Sequence, residues 1–420
     1  MRRARSLWLA GSAALSLSLV AGCSSGDSGN SQGSATAIVE VDIATEPMSD
    51  GDAAALDAAV QDALRAADPD GTLAPGTWIG VWDPARGVFT KAYGRATLDG
   101  EPADLDQRLR IGSVTKTFTA VAVLLLVDDG ALALDDTVES VLPELATEFP
   151  AYAPLTIEQL LRMQSGIADY LNRPDGILTQ VVAEPQRQFV PDELITSAVS
   201  GDVEDPGTIG YSSTNFVVLE EIVNEVAGTP LQEVIAERIT GPLGMANTAL
   251  QPYDETSIPG PAARGYATGP EDGYSGCRAE FALMNSSVPE NTDTSDWSQS
   301  STRGAGGMYS TLQDLGIWAA SLSGNILLSP ELQAKRIEIT PNDYLPYGMG
   351  ILQVSLDNGT TYLGHEGDGY GYQAYALLDQ QSGTAVAVMN NTCGSSGLMD
   401  DLIVAADPRE ATADAGQDAG

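Results

Sequence analysis

Apolar residues fall at helical spacing from Asp52 to Ala66, where Leu56, Val60 and Leu64 lie four apart and predict an amphipathic helix. Two strand-like runs follow, Trp78–Trp82 and Val88–Tyr93, on either side of Asp83-Pro84-Ala85-Arg86-Gly87, which carries a hairpin signal. Val114 to Asp129 is apolar on nearly every face and predicts a deeply buried helix stopped by Gly130. Thr156-Ile157-Glu158-Gln159 has the form of a capping box at a helix start, and Thr311-Leu312-Gln313-Asp314 is its acidic form. Residues from about 131 to 340 read mostly as helix and loop, including a helix around Phe216 to Ala227. Strands are then expected over 347–355, 360–365, 371–379 and 384–390, and a helix near 397–406 closes the pattern.

Strands drawn from both chain ends around a helical middle predict an α/β (α+β) architecture. One antiparallel sheet, built from distant parts of the chain, is covered by helices and carries a mostly helical second lobe. A cleft between lobe and sheet edge is where ligand sites commonly form. A chain of 420 residues, 43% hydrophobic, is long enough for a sizeable core. No internal repeat is evident.

The ends read differently. Arg2, Arg3 and Arg5 precede a short apolar run from Leu7 to Val20, which predicts a targeting segment over residues 1–22. Its last residues, Leu19-Val20-Ala21-Gly22-Cys23, resemble a bacterial lipobox, which implies cleavage before Cys23 and lipidation of its thiol. A plain secretory signal with an incidental cysteine is the alternative. Residues 23–50 then read as a flexible tether, 51–406 as the folded domain and 407–420 as a disordered tail. The expected location is exported, lipid-anchored on the outer face of the bacterial cell membrane. In that setting Cys277 and Cys393 form a possible disulfide, worth about 4–5 kcal/mol on the chain-entropy model, with two unrelated thiols as the alternative.

Charge narrows the chemistry. Twenty basic residues against 58 acidic ones give a net charge of −38, which opposes binding to nucleic acid or anionic lipid. The lysines are Lys91, Lys116 and Lys335, and His365 is the one histidine, so a metal site built on paired imidazoles is excluded. Ser113 and Lys116 stand three apart on a predicted helix and share a face. A serine hydroxyl needs a base to become a nucleophile, and a desolvated lysine can hold it and take its proton. The apolar run behind this pair argues against an ordinary solvated lysine. Tyr211 follows the turn Pro206-Gly207-Thr208-Ile209-Gly210 and precedes a helix, so its phenol can project into a cleft. Beside Lys116 and a helix N-terminus its phenolate would be favoured, although a packing tyrosine is the plainer reading. His365-Glu366-Gly367 ends a strand candidate, and the plainer reading of His365 is a structural side chain.

Ser-x-x-Lys, Tyr-x-Ser and His-x-Gly, in that order, resemble the serine β-lactamase and penicillin-binding protein family. The closest branch holds class C β-lactamases, serine D-alanyl-D-alanine carboxypeptidases and related esterases. Leu160–Ile167, Gly304–Thr311 and Tyr347–Gly350 are similar to further segments of that family, and the resemblance covers about residues 52–405. It implies a β-lactamase/transpeptidase-like fold and an acyl-enzyme on Ser113. Lys116 would tune the base and Tyr211 would shuttle the proton. His365 and Gly367 would line the strand where substrate docks, and the backbone N–H groups of Ser113 and Asp368 would hold the oxyanion. The family's Tyr-x-Asn is Tyr-x-Ser here. Ser213 lacks the paired donor and acceptor of an amide, which weakens the case for amide and β-lactam substrates.

The resulting expectation is a serine hydrolase of D-alanyl-D-alanine carboxypeptidase type acting on cell-wall peptides. A class C-type β-lactamase or an esterase of the same fold is the alternative, and so is a non-catalytic cell-wall-binding lipoprotein. The partner is a small peptide, β-lactam or ester, with no nucleic acid and with membrane contact only through the lipid on Cys23. No cofactor or metal is implied. A Ser-His-Asp esterase is disfavoured, because the Gly-x-Ser-x-Gly match at Gly22–Gly26 straddles the expected cleavage point.

Overall fold

Alternation along the first strand, Gly76–Asp83, decides the layering. Trp78 and Trp82 enter one apolar cluster while Ile79 and Val81 enter another, so both faces of the strand are covered. The computed structural model describes residues 38–67, 75–171, 176–199, 206–268, 287–342, 345–356, 359–392 and 396–407. The targeting segment, Cys23, Cys277, Cys393 and the tail from residue 408 lie outside the described residues.

The strands in chain order are β1 (Gly76–Asp83), β2 (Gly87–Gly94), β3 (Leu109–Arg110), β4 (Ala249–Leu250), β5 (Tyr266–Ala267), β6 (Thr292–Asp293), β7 (Met308–Ser310), β8 (Leu352–Ser355), β9 (Thr361–Gly369), β10 (Tyr372–Asp379) and β11 (Ala385–Asn390). Six of them form an antiparallel sheet in the order β2-β1-β11-β10-β9-β8, and β1 against β11 joins the two chain ends. A small sheet β3-β7-β4 and a β5-β6 pair lie in the intervening region.

Helices α1 (Asp50–Ala67), α2 (Thr115–Asp128), α3 (Thr214–Ala227), α4 (Leu312–Ser321) and α5 (Ser396–Ala406) organise the layers. On one face Leu56 and Val60 of α1 and Leu402 and Ile403 of α5 pack against Ile79, Val386 and Val388. On the other face Trp78 and Trp82 meet the larger cluster built on α2, α3 and α4. Every residue of α2 from Thr115 to Leu126 is buried. Phe118 stacks on Trp318 at 3.8 Å between ring centroids, and the Trp318 indole donates to Thr117 Oγ1 at 2.8 Å, tying α2 to α4.

Several boundaries differ from expectation, each because hydrogen bonding chose otherwise. The helix read from Val114 begins at Thr115, after a 3₁₀ turn over Gly112–Val114. The strand read over 347–355 is only Leu352–Ser355. Gly348 N bonds to Ile351 O, Met349 N to Arg336 O and Gly350 N to Leu161 O, so Tyr347–Gly350 leaves the sheet. The strand expected to end at His365 runs on to Gly369, because pairing with β10 continues to Tyr372. Of the segment read as tether up to residue 50, the part from Val39 to Met48 is anchored. Val39 N donates to Pro242 O, Val88 N to Glu46 O and Met48 N to Val88 O. Both capping expectations hold, with Thr156 accepting from Gln159 N and Thr311 from Asp314 N. Among the described residues no helix is long and apolar enough to cross a membrane.

The Phe118–Trp318 stack generates a stability prediction. Phe118→Ala removes a wholly buried ring and should lower unfolding free energy by about 3–5 kcal/mol. Urea denaturation measures it, and a loss below about 1 kcal/mol would contradict the packing described.

Candidate active site

Ser113 sits in the 3₁₀ turn, one turn ahead of Lys116 on α2, and unlike its neighbours it is partly exposed. The Lys116 Nζ donates to Ser113 Oγ at 2.8 Å and to the Ala305 carbonyl at 2.8 Å. Only 1% of Lys116 is exposed. Burial disfavours the ammonium and lowers its pKa from the usual 10.5 to about 7, against the opposing pull of the Asp169 carboxylate. Lysine therefore holds the serine hydroxyl and is poised to take its proton near neutrality.

The turn is pressed against the sheet edge. Pairing between β8 and β9 stops at Gly364, so the stretch His365–Gly369 presents an edge to Gly112–Val114. Close approach there requires glycine. A Cβ on Gly367 would strike Ile111 O and come within 2.9 Å of the backbone nitrogens of Ser113 and Val114. Gly112, at φ +47, would put a Cβ against the Asp368 carbonyl. The expected oxyanion pair, Ser113 N–H and Asp368 N–H, thus belongs to two segments packed together.

Tyr211 is held by the loop that precedes α3. Gly210 N donates to Met163 O and Gly207 N to Gln164 O. Ser165 Oγ donates to Asn215 Oδ1 at 2.6 Å, and Thr214 Oγ1 to Ala168 O at 2.7 Å. These bonds fix the phenol within hydrogen-bonding reach of Ser113, with Lys116 Nζ 4.9 Å from the ring centroid. Here the structure corrects the sequence reading. Burial, with the carboxylates Asp169, Glu366 and Asp368, raises the Tyr211 pKa well above its ordinary 10, despite the Ser113 hydrogen bond. The phenolate is not favoured. Of the two, Lys116 is the group whose proton affinity is brought toward neutrality, and that of Tyr211 moves away from it.

His365 is also more enclosed than expected. Its ring is 1% exposed and lies 6.3 Å from that of Tyr211. A carbonyl can only accept, so Nδ1–H donates to Glu366 O and Nε2 accepts from the Tyr347 hydroxyl at 2.9 Å. Burial, then Lys116, push its pKa down to about 3, so the ring is a neutral support under Tyr211. Ser213 is buried at the start of α3 and makes no side-chain cap bond. Glu366 and Asp368 accept from Tyr375 and Gln373 of the neighbouring strand, on the sheet face opposite His365 and Gly367. The structure thus gathers Ser113, Lys116, Tyr211, His365, Gly367 and the Asp368 backbone at one place. Sequence reading missed the Ala305 carbonyl and the Tyr347 hydroxyl. Both lie in segments that carry the family resemblance, Gly304–Thr311 and Tyr347–Gly350, but a backbone carbonyl has no side-chain signal and nothing in the sequence pairs Tyr347 with His365. Among the described residues no group of three or more His, Cys, Asp or Glu side chains is arranged to hold a metal ion.

A family model described as Beta-lactamase matches residues 60–407. The chain is 29% identical over 191 residues to a lovastatin esterase of Penicillium rubens, covering 41% of this chain and 47% of that protein. It is 30% identical over 209 residues to a D-aminopeptidase of Brucella anthropi, covering 47% of this chain and 38% of that one. The matches therefore span less than half the length of these two relatives. A solved D-stereospecific amidohydrolase from a Streptomyces species superimposes with a TM-score of 0.70 at 27% identity, over 84% of this chain and 98% of that one.

The lowered Lys116 pKa sets a pH dependence. An ammonium cannot accept a proton, so covalent labelling by a fluorophosphonate should speed up as pH rises through about 7 and level off above it. A labelling rate flat from about pH 5 to 9 would exclude Lys116 as the base.

Proposed function

Since the chain belongs to the beta-lactamase family, we propose that it is a serine hydrolase working by acyl transfer through Ser113. The observation that carries this is the 2.8 Å bond from a fully buried Lys116 to Ser113 Oγ. Lys116, neutral, removes the Ser113 proton as Oγ attacks the substrate carbonyl. The developing oxyanion is met by the backbone N–H groups of Ser113 and Asp368, where loss of one donor typically costs about 10²–10³ in rate. Tyr211 donates its proton to the leaving group and regains one from the Lys116 ammonium beside it. A water then attacks the acyl-enzyme and gives a proton to the neutral Lys116, which returns it to Ser113 Oγ as the acyl group leaves.

For the substrate we favour a small amino-acid amide or ester with a free ammonium, of D configuration as in the names of two relatives. Asp169 acts on both Tyr211 and Lys116, whereas Glu366 and Asp368 turn to the far face of the sheet, toward Tyr375 and Gln373. The field of Asp169 attracts an ammonium and repels a C-terminal carboxylate. This moves the reading away from the D-alanyl-D-alanine carboxypeptidase expected from the motifs, which must capture an anion. Ser213 supports a second reading, in which the scissile bond is an ester, in keeping with the esterase relative. Export and lipid anchoring through Cys23 remain part of the proposal.

Hydrolysis of D-alanine p-nitroanilide, its N-acetyl analogue, a D-Ala-D-Ala peptide, nitrocefin and p-nitrophenyl acetate separates these readings. The free-amine anilide should be the best of the amides, and Asp169→Asn should lower its kcat/KM about tenfold relative to that of p-nitrophenyl acetate. Preference for the D-Ala-D-Ala peptide would restore the carboxypeptidase reading. Incorporation of labelled palmitate in a bacterial host should disappear in Cys23→Ala, and unlabelled wild type would refute the anchor.

A further inference from the structure

Lys116 has one hydrogen-bond acceptor that is not a side chain, the Ala305 carbonyl. The short helix carrying it, Arg303–Gly306, starts with Arg303 at φ +46, a left-handed conformation uncommon for a residue with a side chain. Such outliers persist where the surroundings over-determine them. Here the surroundings are Glu220, wholly buried in the middle of α3. Its carboxylate accepts from Arg303 Nη2 at 2.7 Å and Nε at 3.3 Å, from Gly304 N at 2.8 Å and from the Tyr253 hydroxyl at 2.7 Å. The Arg303 guanidinium also lies over the Tyr253 ring at 4.1 Å. From the opposite side Thr119 Oγ1, on α2 itself, donates to Gly304 O at 2.7 Å.

We propose that Glu220 is a positioning residue for the Ser113–Lys116 pair: through Arg303 and Gly304 it fixes where the Ala305 carbonyl stands. That carbonyl decides which way the lysine points. One helix thus supplies Tyr211 just before its first turn and, through Glu220, the register of the lysine's acceptor. This role presupposes acyl transfer at Ser113. The charged and titratable groups facing Lys116 are Asp169, Tyr211 and His365, with Arg303 behind the Ala305 turn paired with Glu220; Glu221, 3.6 Å from Arg303, is pushed up to about 7 by burial and by Glu220. Removing the Glu220 charge leaves Arg303 under-compensated and the carbonyl unpinned. Both changes disfavour the ammonium and misplace the amine.

The test is fluorophosphonate labelling of the full chain across pH 5–9, read by mass at Ser113, for wild type, Glu220→Gln, Arg303→Lys and Val223→Ala. Val223 is a buried apolar residue of α3 and serves as a destabilised control. We expect both polar variants to label roughly 10- to 100-fold more slowly, the scale of a small misplacement. Their acid-limb midpoint should move to lower pH, while Val223→Ala lowers thermal stability without moving it. Should Glu220→Gln fail to fold, Arg303→Lys, which keeps the charge and loses the planar fork, decides the matter. Rates within twofold of wild type at an unchanged midpoint would overturn the proposal, as would slower labelling with no midpoint shift. A wild type that never labels would instead remove the Ser113 reading, and this one with it.

Discussion

A lysine ammonium kept from water beside a serine hydroxyl is the constraint around which this molecule is arranged. Desolvation of an isolated charge costs several kcal/mol, and the protein offsets it with two fixed oxygen acceptors and a lowered proton affinity. Every residue from Thr115 to Leu126 is buried, so the helix that carries Lys116 turns no polar face to water. The stacking of Phe118 on Trp318 and the Thr117–Trp318 bond hold that helix in place.

The remaining parts follow from keeping reactants next to this pair. The edge of β9 approaches the Ser113 turn so closely that Gly112 and Gly367 admit no side chain. A strand edge and a helix start thereby bring together two backbone N–H groups, of Ser113 and Asp368, whose separation in sequence only the sheet can close. Around them the side chains hold complementary protonation states. Lys116 titrates near neutrality, Tyr211 is held protonated and His365 is held neutral, each by burial acting on a different acid–base type. Separation of proton affinities in one cleft is what general acid–base chemistry needs.

A carboxylate also acts on Lys116 and Tyr211. Asp169 lies on the segment that also braces the Tyr211 loop, so the element that positions the phenol contributes charge at the same place. The high acidity of the whole chain was legible from composition, but composition could not distinguish a solvated surface from a field acting on Tyr211.

Much of this was legible in the residues alone. The run Trp78–Trp82 and the apolar run after Lys116 pointed to a strand and a deeply buried helix, because apolar patterning records which faces avoid water. The order Ser113-x-x-Lys116, Tyr211, His365 determined the family resemblance and the candidate site. Other features were decided only by tertiary structure. The neutral phenol of Tyr211 depends on carboxylates and burial contributed by other segments, and the sequence reading of a favoured phenolate failed there. The extension of β9 through Gly369 depends on pairing with β10, and the anchoring of Glu46 and Met48 on β2 depends on a neighbour that local composition does not reveal. The Ala305 carbonyl and the Glu220–Arg303 lock behind it depend on backbone position. A sequence names side chains, whereas proton affinity and backbone hydrogen bonding depend on what the fold places within a few ångströms.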